Sequence, residues 1–346
     1  MHSGFACVRN MKNSFDTLKK LYIEPSSACN LKCKMCFRNN WFDEKIGLMT
    51  AEIWNNVSDS ITRLDKTELK TVMFAGMGEP LANPKIFDMI SDVKNLGRST
   101  ELLTNGSLLD KAFIDRLLDC GLDMLWVSAD GFEREMYENI QKGSRFDSMI
   151  KSLEYFSDKK ENVKLGITFV MMKENLCELD KINDFADKIS ADMINLSYAV
   201  PSSKLLKTDS VYDSGYPVGK MKRLGKGQER ELNRCPFIGD GVCFVRSDGE
   251  VSPCMQLLHN SYTYLFEEKR KVYRHSFGNV KDRSLYDIWN DAEYRNFRER
   301  VDNFEFPDCT VCDGCDDRLE NVKDCMYNTH PTCGACLWAQ GIARCP

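Results

Sequence analysis

The 346-residue sequence has no run of about 18 or more apolar residues, so no membrane-spanning helix is expected. It also lacks a strong excess of either charge. Forty-seven basic and 52 acidic residues leave a formal net charge of −5, which gives no electrostatic reason to expect a nucleic-acid partner. Basic runs such as Lys220-Met221-Lys222-Arg223 have acids interspersed nearby and read as a solvated face. The opening Met1-His2-Ser3-Gly4-Phe5-Ala6-Cys7 has no basic start followed by an apolar core, so no secretory signal peptide is expected. No internal repeat is visible. What the chain has in quantity is cysteine, 16 residues of it. In a small secreted protein that number would build a disulfide scaffold. In a long chain with no secretory leader, metal binding in a reducing cytoplasm is the better account. The composition, 42% hydrophobic and 29% charged, is that of a globular protein with room for one large core and a smaller module.

Three of the cysteines stand together in Cys29-Asn30-Leu31-Lys32-Cys33-Lys34-Met35-Cys36, spaced C-x3-C-x2-C. An apolar run, Leu21-Tyr22-Ile23, and then Glu24-Pro25-Ser26-Ser27 precede them. This is a strand followed by a loop that carries the thiols. Three thiols from one short loop point in different directions and cannot all be core packing. Deprotonated, they are soft ligands suited to zinc or iron–sulfur. A structural zinc site closes itself with four protein ligands. A 4Fe–4S cluster held by three leaves one iron open. The bland alternative is a surface loop with free or zinc-bound thiols.

From residue 15 to 200, strand-like runs alternate with amphipathic stretches. Strands are predicted at Leu21–Ile23, Thr71–Ala75, Glu101–Leu103, Met124–Ser128, Lys164–Met171 and Met193–Tyr198. Helices are predicted over Thr50–Leu64, Pro84–Leu96, Asp110–Cys120, Arg134–Ile140, Phe146–Phe156 and Leu179–Ile189. Six β-α units in succession imply a parallel sheet with helices outside it. The working residues then lie beyond the C-terminal ends of the strands. Those positions hold the Cys29 loop, Gly76-Met77-Gly78-Glu79-Pro80, Thr104-Asn105-Gly106 and Ser128-Ala129-Asp130-Gly131. Each later loop could also be ordinary turn chemistry. Residues 1–14 read as a peripheral segment. Residues 201–234 lose apolar periodicity and read as a linker or active-site loop. Residues 235–346 hold ten of the cysteines, with a β-hairpin turning at Asp248-Gly249.

The C-x3-C-x2-C spacing, with Phe37 after the third thiol, resembles the signature of the radical S-adenosylmethionine (SAM) superfamily. The resemblance implies a partial (β/α)6 barrel, an α/β fold, with a cluster on Cys29, Cys33 and Cys36 whose open iron binds SAM. Gly76-Met77-Gly78-Glu79 stands where that family has two glycines and a glutamate holding the SAM amino group, with Met77 a departure at the middle position. By the same resemblance Ser128 would contact the SAM carboxylate or ribose, and Thr104, Asn105 and Asp130 are further candidates.

Gly249-x4-Cys254, the stretch Phe277-Gly278-Asn279-Val280 and the run Ser284–Trp289 resemble a SPASM domain over 235–346, which usually holds two auxiliary 4Fe–4S clusters. The resemblance assigns Cys235, Cys243, Cys254 and Cys336 to the first. It assigns Cys309, Cys312, Cys333 and Cys345 to the second, with Cys315 and Cys325 as alternates. Cys309-x2-Cys312 alone would suit zinc equally. Trp41, the run Ser252–His259 and the C-terminal segment from Cys333 are similar to maturases found with tungsten-dependent aldehyde oxidoreductases. The implied activity is reductive cleavage of SAM to modify a protein, peptide or metal-cofactor target. A reduced flavodoxin- or ferredoxin-type protein would donate the electron. The competing readings are an enzyme acting on a small metabolite and a non-enzymatic iron–sulfur electron carrier. The Gly76–Pro80 loop argues against the carrier.

Overall fold

A computed structural model describes residues 16–201, 219–221, 235–265, 268–312 and 314–342. Six parallel strands form in sequence order: β1 (Lys20–Ile23), β2 (Thr71–Phe74), β3 (Ser99–Thr104), β4 (Met124–Ser128), β5 (Lys164–Met171) and β6 (Met193–Tyr198). The helices between them are α1 (Ala51–Arg63), α2 (Ile86–Asn95), α3 (Lys111–Asp119), α4 (Arg134–Ile140), α5 (Phe146–Lys159) and α6 (Ile182–Lys188). This is the expected α/β architecture. Met124, Leu125, Trp126 and Val127 of β4 are all buried, because a parallel strand with helices on its outer face shows neither side to water.

Local chemistry sets the helix ends. The Thr50 hydroxyl accepts from the Ile53 amide at 3.3 Å and caps α1, and Asp110 accepts from Phe113 at 2.8 Å and caps α3. Ile53, Trp54, Val57 and Ile61 of α1 recur at helical spacing and face the sheet. Each contributes on the order of 1.5–3 kcal/mol through burial. The predicted helix at Leu179–Ile189 is shorter than expected. Residues Lys173–Lys181 form 3-10 turns and only Ile182–Lys188 are α-helical.

Three strands were not foreseen in this sheet. Within the stretch expected to be a linker, β7 (Gly219–Met221) pairs antiparallel to β6; the rest of 202–234 lies outside the described residues. At the other side, β8 (Val242–Val245) pairs parallel to β1, with Leu21 opposite Cys243 and Tyr22 opposite Phe244. The expected hairpin follows, with β9 (Val251–Ser252) antiparallel to β8. Among the described residues the sheet is therefore nine-stranded, in the order β7-β6-β5-β4-β3-β2-β1-β8-β9. A second, antiparallel pair joins β10 (Ser261–Leu265) to β11 (Glu268–Val272). Tyr22 of β1 stacks on Phe244 of β8 with ring centroids 4.6 Å apart. Phe237, Phe244, Leu285, Ile288 and Trp289 belong to the same continuous apolar core as the barrel strands.

Candidate functional site

The loop after β1 is held from several sides. The Glu79 amide donates to the Ala28 carbonyl at 2.7 Å, and Ser27 donates to Gly47 at 2.9 Å. Lys32 and Lys34 amides donate to Lys142 and Ile140 at 3.0 Å each. Cys36 closes back on Cys33 at 3.2 Å. Cys29, Cys33 and Cys36 are all half-buried thiols. The Asn105 amide reaches the Cys29 sulfur at 3.5 Å. Burial pushes the Cys33 thiol far above its usual range, and Asp130, Cys36 and Cys29 push it further. A group of thiols that raise one another in this way is stabilised when a cation takes them as thiolates.

Two glycines admit the close packing of this loop. A Cβ on Gly78 would stand 2.2 Å from the Ser26 carbonyl and 2.5 Å from that of Ala28. One on Gly76 would stand 2.4 Å from Cγ of Glu24. The glycines after β2 are thus required by the approach of the cysteine loop and of Glu24. Met77, between them, donates its amide to Glu24 Oε1 at 3.0 Å.

The Glu79 carboxylate is wholly buried and engaged within the protein. It accepts from Thr104 Oγ1 at 2.7 Å, the Asn105 amide at 2.8 Å and the Leu81 amide at 3.1 Å. Glu79 and Thr104 therefore tie the second loop to the third. Ser128 is half-buried and accepts from Thr168 Oγ1 at 3.2 Å. Asp130 accepts from the Val170 amide at 2.8 Å through one oxygen, while its other oxygen is buried with no partner among the described residues. Burial pushes its carboxyl up to about 7. An orphan carboxyl oxygen at the end of β4, electrostatically coupled to Cys33, fits a site that receives a polar ligand.

Sequence reasoning missed a buried charge network beside these loops. His259 Nε2 lies 2.9 Å from Glu24 Oε1, and its Nδ1 lies 2.9 Å from Glu44 Oε2. Trp41 stacks on the imidazole at 4.1 Å. Arg246 Nη2 stands 3.5 Å from Glu44, and Arg274 stands 3.4 Å from it. Partners 235 residues apart leave no spacing signal. The available hints were Trp41 and the Ser252–His259 run, singled out by their resemblance to the maturases, and Glu24, a carboxylate at the buried end of a strand.

The C-terminal thiols fall in two neighbourhoods. Burial drives Cys254 well up, and Cys235, Cys336 and Cys333 add to it. These four thiols are close enough to raise one another. Cys333 was expected with Cys309. It shares a turn with Cys336, whose amide donates to its carbonyl at 2.9 Å, and the Cys309 amide donates to the carbonyl of the next residue, Gly334, at 3.0 Å. Cys243 was expected in this group. It is fully buried on β8, beside Arg298 and Tyr294. Cys309, Cys312, Cys315 and Cys325 line a second, small cavity of about 40 Å³ with Arg270 and Arg318. Burial raises Cys309 to about 11, with Cys325 and Cys315 adding to the effect. Cys345 lies outside the described residues. The buried Arg270 guanidinium is electrostatically coupled to Cys336, Cys309 and Cys333, a cation between the two thiol groups. Among the described residues no three His, Cys, Asp or Glu converge tightly enough for a single metal ion. Thiols that each bind a different iron of a four-iron cube stand farther apart.

A parallel barrel with three thiols beyond β1 and two further thiol groups at its side defines a radical SAM protein carrying auxiliary iron–sulfur clusters. The radical SAM superfamily profile matches residues 23–186, and the SPASM iron–sulfur cluster-binding domain matches 235–316. Streptococcus suis SuiB bound to S-adenosylmethionine has a similar fold, with TM-score 0.60 and 19% identity, covering 82% of this chain and 68% of that one. So does anSMEcpe with bound AdoMet, with TM-score 0.60 and 20% identity, covering 87% of each chain. The chain belongs to the family of the tungsten-containing aldehyde ferredoxin oxidoreductase cofactor-modifying protein. The Pyrococcus furiosus protein of that name is 31% identical over 350 residues, 95% of this chain and 97% of the relative. The AdoMet-dependent heme synthase of Methanosarcina barkeri is 23% identical, covering 88% of this chain and 95% of the relative. The cofactors of such a chain are 4Fe–4S clusters and SAM. Among the described residues no helix is long and apolar enough to cross a membrane.

Proposed function

We propose that this chain is a maturase that cleaves SAM reductively and modifies a protein, peptide or metal-cofactor target, with a tungsten-dependent oxidoreductase as the partner. The observation that carries the reading is the cysteine loop clamped onto Gly76 and Gly78, in a chain 31% identical to a tungsten-oxidoreductase cofactor-modifying protein. When bound, the reduced cluster and SAM supply one electron, methionine and a 5′-deoxyadenosyl radical that removes a hydrogen atom from the target. Cys29, Cys33 and Cys36 would hold the initiating cluster. The backbone of Gly76–Glu79, with Ser128, Asn105 and Asp130, would line the SAM site, and Thr104 would brace it through Glu79. Cys235, Cys254, Cys333 and Cys336 would hold one auxiliary cluster, and Cys309, Cys312, Cys315 and Cys325 the other. Both sets hold four thiols, so each closes its cluster against substrate ligation. That favours electron transfer over substrate binding as their role. A reduced flavodoxin- or ferredoxin-type protein would supply the electron.

The heme-synthase relative supports a second reading, a small-molecule substrate. The test is anaerobic. With dithionite and SAM the reconstituted protein should form 5′-deoxyadenosine slowly, and Cys33→Ala should form none. Mass analysis of a tungsten oxidoreductase, or of its released cofactor, before and after incubation should then show a change. An unchanged mass alongside rapid 5′-deoxyadenosine formation on a metabolite would favour the second reading.

A further inference from the structure

His259 comes from the C-terminal module, in the segment between β9 and β10, yet it sits against the first two barrel loops. Its side chain is 1% exposed, as are those of Glu24 and Glu44. Both ring nitrogens face carboxylate oxygens at 2.9 Å. An ionised carboxylate only accepts, so both nitrogens donate and the ring is held as an imidazolium. The stacked Trp41, at an interplanar angle of 23°, fixes the ring plane. Glu44 is itself anchored by the Asn260 amide at 2.8 Å. The imidazole therefore has one orientation, and so does the Glu24 carboxylate that it grips.

That carboxylate has a second task. Its Oε1 also accepts the Met77 amide at 3.0 Å. The Met77 N–H and the Gly76 carbonyl belong to one planar trans peptide and point in opposite directions. Fixing the N–H toward Glu24 aims the Gly76 carbonyl away from Glu24. In the reading above, the backbone of this loop accepts from the SAM ammonium.

We infer that His259 is a positioning residue for SAM, acting through Glu24 and the Met77 amide on the direction of the Gly76 carbonyl. The inference rests on the assignment of Gly76–Glu79 as the SAM-binding loop. It makes the C-terminal module part of the SAM site. It also separates the two bonds of the imidazole, because only the one to Glu24 leads to the loop.

Two substitutions of similar size separate those bonds. A glutamine amide nitrogen falls near the Nε2 position and can donate to Glu24. An asparagine nitrogen falls near Nδ1 and can donate only to Glu44. SAM affinity would be measured by equilibrium dialysis on anaerobically reconstituted wild type, His259→Gln and His259→Asn, with iron and acid-labile sulfide determined on each sample. At unchanged iron, His259→Asn should raise the SAM Kd about tenfold or more, the scale of one charge-assisted hydrogen bond, with His259→Gln within about threefold of wild type. Equal Kd values in all three proteins, an equal loss in both variants, a larger loss in His259→Gln, or loss of iron in either variant would each overturn the inference. Wild type that holds its iron but binds no SAM would overturn the assignment of the loop itself, a result distinct from these.

Discussion

At the scale of single residues, identical side chains differ by what surrounds the sulfur. Cys243 is fully buried opposite Leu21, whereas Cys325 lines a cavity with three other thiols. Cys243→Ala should leave iron at about twelve per chain, and Cys325→Ala should remove about four of them. Total iron after anaerobic reconstitution checks both. Cys243→Ser should cost about 1–3 kcal/mol of stability by burying a hydroxyl where the thiol packs. The Cys29–Cys36 motif stands out in the sequence because its three thiols lie within eight consecutive residues. The auxiliary sets leave no such local mark. Their members come from separate segments, and which segments meet is decided by the sheet and by one turn at Cys333–Cys336.

At the scale of elements, the loops after β2 and β3 act as one unit through Glu79. Its two oxygens accept three hydrogen bonds, and a glutamine offers only one accepting oxygen. Glu79→Gln must turn its amide toward a donor, leaving at least one buried N–H or O–H unmatched. A loss of about 1–3 kcal/mol is expected, read as a lower thermal midpoint. Thr50→Ala should cost about 1 kcal/mol by removing the α1 cap. The six barrel strands and the α1 and α3 caps were readable because periodicity and capping are local signals. The strand at Gly219–Met221 was not, since its surroundings have no apolar alternation. Nor was the place of Val242–Val245 beside β1, because parallel pairing between distant segments leaves no mark on either one.

At the scale of the whole molecule, the two modules are joined by buried charge as well as by backbone. Burial would lower the His259 pKa, but Glu24 and Glu44 outweigh it and hold it above 6.5. Burial would raise that of Glu44, but His259, the Asn260 amide and Arg246 bring it below 4.5. The His259 contribution is complete below pH 6.5 and is lost as pH rises through its folded value. The Glu44 contribution is complete above pH 4.5 and is lost as pH falls through its own. With Glu24, Glu44, Arg246 and Arg274 all facing this ring, the advantage in thermal midpoint of wild type over His259→Gln should be greatest between pH 4.5 and 6.5. Thermal melts taken at intervals up to pH 9 should show it shrinking.

The position of β1 between β2 and β8 has a consequence for the order in which the chain is made. The first barrel strand leaves the ribosome about two hundred residues before its second neighbour exists, because Ile23 must wait for Val242–Val245. Until then the edge of Lys20–Ile23 is open, next to the Cys29–Cys36 loop. A pairing across so long a loop is slow to find, and an open apolar edge invites other chains. A fragment ending at residue 201 should therefore aggregate rather than persist as a free barrel. Translation stalled before residue 242 should leave the nascent chain more open to protease at the β1 edge than translation stalled after 260. Iron delivery is then best timed after Cys333 and Cys336, the last-made members of the first auxiliary group, have left the ribosome.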